Sequence, residues 1–389
     1  MPWCEVSVMD QRKEFVRLAG VEGVNRRELC RRFGIHPSTG YKWLERSAAD
    51  EPLEDRSRRP HASPLRTELG TEVRILAVRD EHPAWGARKI AAVLKRGGHA
   101  VPAVSTVHEI LVRNERICVA PGQERASCRF EKAAPNLLWQ MDFKGWFKLA
   151  GGGTCHPLTV VDDHSRYALG IEACADEQGA TAKPRLEAVF RRYGLPDAIF
   201  VDNGTPWGDS GGGRWTRFGV WLLKLGVELI HSRPYHPQSR GKNERFHRTL
   251  AAEALAGKRF NDLAAAQRTF DAWRSVYNLD RPHHALDLDV PASRYRPSTR
   301  SMPTTLPIFE YDHGEIVRTV LPSKDYISFK GQLIKVPKAF HGERLAIRPL
   351  ATDGTFGVFF AAHLVTTFSL TNPQSVGHVS EQPSAISPG

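Results

Sequence analysis

Three acidic residues stand where an α/β chain can do chemistry. Asp142 lies within the alternating run LWQMDFKGWF (138–147). Asp202 closes the apolar run AIFV ahead of an Asn203-Gly204 turn. Glu244 opens the helical stretch GKNERFHRTLAAEAL (241–255). Strand ends and helix starts on one side of an α/β sheet converge at the edge where ligands bind. Three carboxylates gathered there cannot stay bare, because burying uncompensated charge is too costly. Hard oxygen donors suit Mg²⁺ or Mn²⁺. Two such ions, about 3.5–4 Å apart, make a clamp for in-line phosphoryl displacement. Any one acid alone has ordinary uses as a cap, a turn or a surface charge. Asp162 and Asp163, in a polar turn, illustrate this. The expectation that Asp142, Asp202 and Glu244 are both catalytic and metal-ligating rests on the three positions together.

Their neighbours fit a polyanionic substrate. Arg248 lies one helical turn beyond Glu244, and Lys242 and Arg245 add charge to the same helix start. Asn203 and Gly204 would shape the turn beside Asp202. His236 precedes the helix in a loop, where a structural hydrogen bond is its expected role. Trp139, Trp146, Trp215 and Trp273 read as core.

The elements that must position these residues follow from hydrophobic period. Residues 138–147 alternate as a strand, and 156–174 read as a hairpin turning at Asp162 to Arg166. Residues 177–193 carry Ala182, Leu186, Val189 and Phe190 at helical spacing. Residues 198–204 and 227–232 are short strands. Leu263, Ala266, Phe270, Trp273 and Tyr277 mark a further helix. A hairpin followed by alternating strands and helices predicts a mixed sheet with helices on its faces, over 133–300.

Before this core, NRRELCRRFGIHPSTGYKWLER (25–46) reads as two short helices around Gly34, with Pro37 in the first turn of the second and Tyr41 and Leu44 on its buried face. That second helix would present Ser38, Thr39, Lys42 and Arg46 to a DNA groove and its phosphates. The first helix-turn-helix domain is placed at 1–49 and a charged, Pro-rich linker at 50–66, where Arg56, Arg58 and Arg59 are candidate phosphate contacts. A second helix-turn-helix domain, 67–120, has Val73, Leu76 and Ala77 on one helix, Ile90, Val93 and Leu94 on the next, and a third helix capped by Ser105 or Thr106. Short β segments after Pro303, with a Lys330-Gly331 turn, predict a small all-β barrel at 313–371 and a disordered polar tail at 372–389.

Composition narrows the class. The 389-residue chain is 41% hydrophobic and 25% charged, as globular proteins are. Its six cysteines form no CxxC pair, which argues against a zinc ribbon or a disulfide framework and suits a reducing compartment. The charged N-terminal stretch does not read as a signal peptide, and no apolar run is long enough to span a bilayer. The net charge of +11 is uneven: +6 over 1–132, +5 over 133–300 and 0 over 301–389. A positive excess in the first three-quarters suits nucleic acid.

The runs WQMDFKGWF, LTVVDDHSRYALG, FVDNGTPWG, HSRPYHPQSRGKNERFHRTL and RPHHALDLDVPASRY, with the tandem helix-turn-helix units, cover most of 20–300. They resemble an insertion-sequence transposase of the IS3/IS481 type with a retroviral-integrase-like core. The resemblance implies an RNase H-like fold, with Asp142, Asp202 and Glu244 as its catalytic acids and two Mg²⁺ or Mn²⁺ ions between them. It implies cleavage of double-stranded DNA at element ends, transfer of the freed 3′-hydroxyl into target DNA, and a homo-oligomer that holds two ends together, in the cytoplasm at the nucleoid. One departure is the 41 residues between Asp202 and Glu244 (203–243), longer than the family's usual interval. The extra length falls in the glycine-rich WGDSGGGRW, where Asp209 is a remote competitor as a ligand. The alternatives are a catalytically silent DNA-binding regulator and a phage or retroelement integrase.

Overall fold

The computed structural model describes residues 7–56, 66–117, 131–208, 215–232 and 241–370. The chain divides into two compact units, one up to Arg66 and one from Thr67 onward.

In the first unit three helices, α1 (Val8–Ala19), α2 (Arg26–Arg32) and α3 (Pro37–Ala48), pack Phe15, Ala19, Leu29 and Cys30 together. Each helix start is capped by a side chain: Ser7, Asn25 and His36 accept from backbone N–H groups, and Pro37 opens α3 where its missing N–H costs nothing. Gly34, at φ +65, makes the left-handed turn between α2 and α3. Gly40 lies at the crossing itself. A Cβ there would sit 2.5 Å from Cys30 Sγ and 2.8 Å from Phe15 Cζ, so α3 approaches α1 and α2 only because that atom is absent. Tyr41 differs from expectation: it is exposed, because Gly40, Trp43 and Arg46 take the inner face of α3.

The second unit begins with α4 (Leu69–Glu81), α5 (Ala87–Arg96) and α6 (Val104–Arg113), which bury Ile75, Trp85, Ile90, Leu94, Val107, Ile110 and Leu111. Val73 points outward and Ile75 takes the core position on α4. Neither Ser105 nor Thr106 caps α6; it starts at Val104 after Ala103, with no side-chain cap.

The α/β core is a six-stranded sheet built from β1 (Trp139–Phe143), β2 (Phe147–Lys148), β3 (Thr154–Asp162), β4 (Ala168–Cys174), β5 (Ala198–Val201) and β6 (Glu228–His231). Its order is β2-β3-β1-β5-β6, with β4 also paired to β3. The β3–β4 hairpin is antiparallel, β1 is antiparallel to β3, and β1, β5 and β6 run parallel. One face packs on α7 (Gly179–Tyr193) and α8 (Arg217–Lys224); the other packs on α9 (Gly241–Leu250) and α10 (Leu263–Leu279). A five-residue π-helical turn, Ala251–Leu255, follows α9, and α11 is Pro291–Arg294. Trp139 is buried as expected, whereas Trp146 is 60% exposed because it stands in the loop between β1 and β2.

The C-terminal region contains β7 (Ile316–Thr319), β8 (Tyr326–Phe329), β9 (Gln332–Lys335), β10 (Arg344–Pro349), β11 (Thr355–Phe360) and β12 (His363–Ser369). The expected barrel takes another form. A four-stranded antiparallel sheet, β12-β11-β10-β7, and a separate β8-β9 hairpin share one apolar core, and the described strands form no closed sheet. Strands β8 and β9 pair only with each other, and β7 pairs only with β10. The Lys330-Gly331 turn is present, both residues at positive φ (44 and 78), as a two-residue hairpin requires.

Gly40→Ala should destabilise the first unit by about 1–3 kcal/mol through overpacking. Hydrogen exchange of the full chain should show α1–α3 opening more readily, with the sheet core unchanged.

Candidate active site

Strand parity places the first two acids. Trp139 and Met141 on β1, and Ile199 and Val201 on β5, enter the core shared with α7 and α8. Side chains alternate along a strand, so Gln140, Asp142 and Asp202 belong to the opposite face, toward α9 and α10. The parallel register pairs Trp139 with Ile199 and Gln140 with Phe200. Asp142 on β1 and Asp202, the first residue after β5, each stand two residues beyond the last of those pairs. Both acids are half-buried. Asp202 Oδ1 accepts from Gly204 N at 3.0 Å, its carbonyl lies 3.1 Å from His231 Nδ1, and Asn203 Nδ2 donates to Ser232 O at 3.0 Å. Together these fix the turn after β5.

Glu244 comes from α9, whose Phe246 and Leu250 are anchored in the core on that same face. One turn beyond Glu244, His247 Nε2 meets Thr159 Oγ1 at 2.8 Å, and Thr159 Oγ1 donates to Asp142 O at 2.9 Å. Thr159 is the register partner of Asp142. The hydroxyl has one proton, committed to that carbonyl, so His247 donates from Nε2. Burial, and then the charge of Lys144, push His247 down to about 4, so the ring is neutral at neutral pH.

Glu244 itself is exposed. Among the described residues no three His, Cys, Asp or Glu side chains are arranged to hold a metal ion. The donor chemistry of Asp142 and Asp202 fits a hard divalent cation, and Glu244 stands on the helix that faces them.

The basic residues divide. Arg245 and Arg248 are exposed on α9, Ser38 and Lys42 are exposed on α3, and Thr39 is half-buried. Arg46 does not face outward. It is 9% exposed, lies over the Trp43 ring and donates to Glu54 O at 2.9 Å, so it fastens the segment after α3. Arg56 pairs with Glu51. Lys242 Nζ lies 2.5 Å from Asp163 Oδ1. Arg58, Arg59, Asp209 and His236 lie outside the described residues.

No expected role fell to Gln140, Lys144, Thr159 or His247, and only that of a turn residue to Asp163. Two rules would have found three of them: period two from Asp142 gives Gln140 and Lys144, and a helical step from Glu244 gives His247. Nothing local marks Thr159 or Asp163, whose roles depend on contacts with β1 and α9.

Comparison with known proteins agrees with this architecture. Integrase core domain families match at residues 132–237 and 225–291, and the IS481 family transposase C-terminal domain matches at 316–375. A Helix-turn-helix domain matches at 11–61 and a Homeodomain-like domain at 39–111. The Insertion element IS407 uncharacterized 31.7 kDa protein of Burkholderia multivorans is 27% identical over 226 residues, covering 56% of this chain and 78% of that protein. The Insertion element IS476 uncharacterized 39.2 kDa protein of Xanthomonas euvesicatoria is 30% identical over 184 residues, covering 47% of this chain and about half (51%) of that protein. A chain of the simian T-cell lymphotropic virus intasome in complex with PP2A regulatory subunit B56 gamma overlaps with a TM-score of 0.38 at 15% identity, covering 75% of this chain and 95% of that one; an overlap this loose carries no argument.

Helix-turn-helix modules joined to an integrase core define the class. Within it, the chain is similar to insertion-element transposases of the IS3/IS481 type. No helix among the described residues is long and apolar enough to cross a membrane.

His247 sets an acid limit on stability. Its folded pKa, about 4, lies below the ordinary 6.5. The unfolded chain therefore takes the proton first, and stability that is complete above about pH 6.5 is lost as pH falls toward 4. The unfolding free energy from urea titration should fall across that window, by up to about 3 kcal/mol from this group, and the pH slope should flatten in His247→Gln.

Proposed function

We propose that this chain is a DNA strand-transferase that cuts the ends of a mobile element and joins them to target DNA. What supports the reading is that Asp142 and Asp202 each follow the last pair of the parallel strands β1 and β5 by two residues, with the helix of Glu244 packed on the same sheet. Asp142, Asp202 and Glu244 would hold two Mg²⁺ or Mn²⁺ ions, which supply Lewis-acid stabilisation of a phosphorane-like transition state.

The chain's own residues do the rest. Exposed Arg245 and Arg248 bind phosphate oxygens alongside the acids. Lys42, with Ser38 and Thr39, reads a groove of the element end from α3, and the α4–α6 unit holds a further stretch of duplex. In the first step water attacks phosphorus and the P–O3′ bond breaks, leaving a 3′-hydroxyl. In the second, that hydroxyl attacks a target phosphodiester, and the target's 3′-oxygen leaves. Neither step needs a covalent link to the protein. Holding two ends at once calls for more than one copy of the chain.

Two outcomes test this. Asp202→Asn should retain end-DNA affinity within about threefold while cleavage and strand transfer with Mg²⁺ fall by more than about 10²-fold. Wild-type protein that binds ends tightly but never cuts them with either metal would leave the DNA-binding regulator as the reading. Lys42→Ala should weaken end binding and lower the salt slope by about one unit, whereas Arg46→Ala should lower stability at an unchanged salt slope, measured by titration at several salt concentrations.

A further inference from the structure

Asp163 was expected to be an ordinary turn residue, and its neighbour Asp162 is one: its carboxylate accepts from Ser165 N, Ser165 Oγ and Asn136 N at 2.8, 2.6 and 2.8 Å. Asp163 does something else. It is 1% exposed, and its two oxygens collect donors from three separate segments. Oδ1 accepts from Gln140 Nε2 at 2.7 Å and Lys242 Nζ at 2.5 Å; Oδ2 accepts from Lys132 N at 2.9 Å. Its own N–H donates to Leu138 O at 3.0 Å, which locks the residue to the start of β1.

Two of those donors have telling positions. Gln140 lies two residues before Asp142 on the same face of β1. Lys242 lies two residues before Glu244 in the first turn of α9. One buried carboxylate therefore ties the strand of the first acid to the helix start of the third. The contact of His247 with Thr159 and the packing of Phe246 and Leu250 act on later residues of the helix, while Asn243, beside Lys242 in the first turn, is buried as well. The Asp163 side chain is fully buried and the Lys242 side chain is 22% exposed, so the pair is better sheltered from solvent than a surface pair.

We infer that Asp163 is a positioning residue which, through Lys242 and Gln140, sets the approach of Glu244 to Asp142 and Asp202. It touches neither metal nor DNA. The bond also removes Lys242 from the charges available to DNA, leaving that role on α9 to Arg245 and Arg248. This inference rests on the strand-transferase reading above for its catalytic consequence, but not for the tether itself.

The test uses the full chain with Asp163→Asn, which keeps an acceptor for Gln140 but loses the charge that holds Lys242, and with Lys242→Met. In metal-free, DNA-free protein, hydrogen exchange across 241–250 should quicken at least tenfold in both variants while α10 stays unchanged. In end-cleavage assays the Mn²⁺ concentration for half-maximal rate should rise at least tenfold, with the plateau restored at saturating Mn²⁺ and end-DNA affinity unaltered. Unchanged exchange in α9 overturns the proposal. So does exchange that quickens equally in α10, or a lowered plateau at unchanged half-saturation, since either marks a general structural role. A wild-type chain that cuts no DNA overturns the strand-transferase reading instead, and the exchange measurement then judges the tether alone.

Discussion

Two like charges, Asp142 and Asp202, each two residues past the last pair of β1 and β5, are the constraint around which this core is built. Side by side, carboxylates destabilise a sheet, and a fold seeking stability alone would place apolar side chains there. Cationic residues occur beside β1 and on α9 instead. Lys144 lies two residues past Asp142, and Arg245 and Arg248 are exposed on α9. The N-terminal end of α9 adds a partial positive charge of its own. The apolar half of each strand, Trp139 and Met141 beside Ile199 and Val201, faces the other way into the larger core and holds the register that the acids themselves oppose.

Helix α9 is joined to this arrangement by polar bonds as well as by packing. His247 reaches the strand next to Asp142 through Thr159, and Lys242 reaches the turn after β3 through Asp163. Buried polar pairs are poor sources of stability but good sources of position, because only one geometry satisfies them. An exposed Glu244 on a helix fixed this way has freedom in its own rotamer and little in its backbone.

The flanking modules attach differently. Within the first unit, Arg12 and Arg46 both lie against Trp43 and donate to the carbonyls of Leu53 and Glu54, so the segment after α3 is bound down where it leaves the helix. In the second unit, α5 is bound to the α/β core: Arg96 donates to the carbonyls of Asp280 and Leu288, and Val276 of α10 enters the apolar cluster of α4–α6. The C-terminal sheet rests on α8 through Val220 and the Lys224–Glu343 ion pair. The α4–α6 helices and the C-terminal strands thus share surfaces with the core.

Local chemistry was legible in the sequence wherever a short-range rule governs. Gly34 and Pro37 marked the turn and the helix start, Lys330-Gly331 marked its hairpin, and apolar period located the strands of Asp142 and Asp202. These follow from backbone sterics and side-chain alternation, which act over a few residues. Tertiary structure alone decided which way a long, ambivalent side chain turns. Arg46 went inward because Trp43 and a carbonyl awaited it. Lys242 went to Asp163, Tyr41 and Trp146 went to solvent, and the last strands formed a sheet and a hairpin where a barrel was expected. The partner of Lys242 is 79 residues away, and no spacing rule encodes a contact that exists only once the fold has closed.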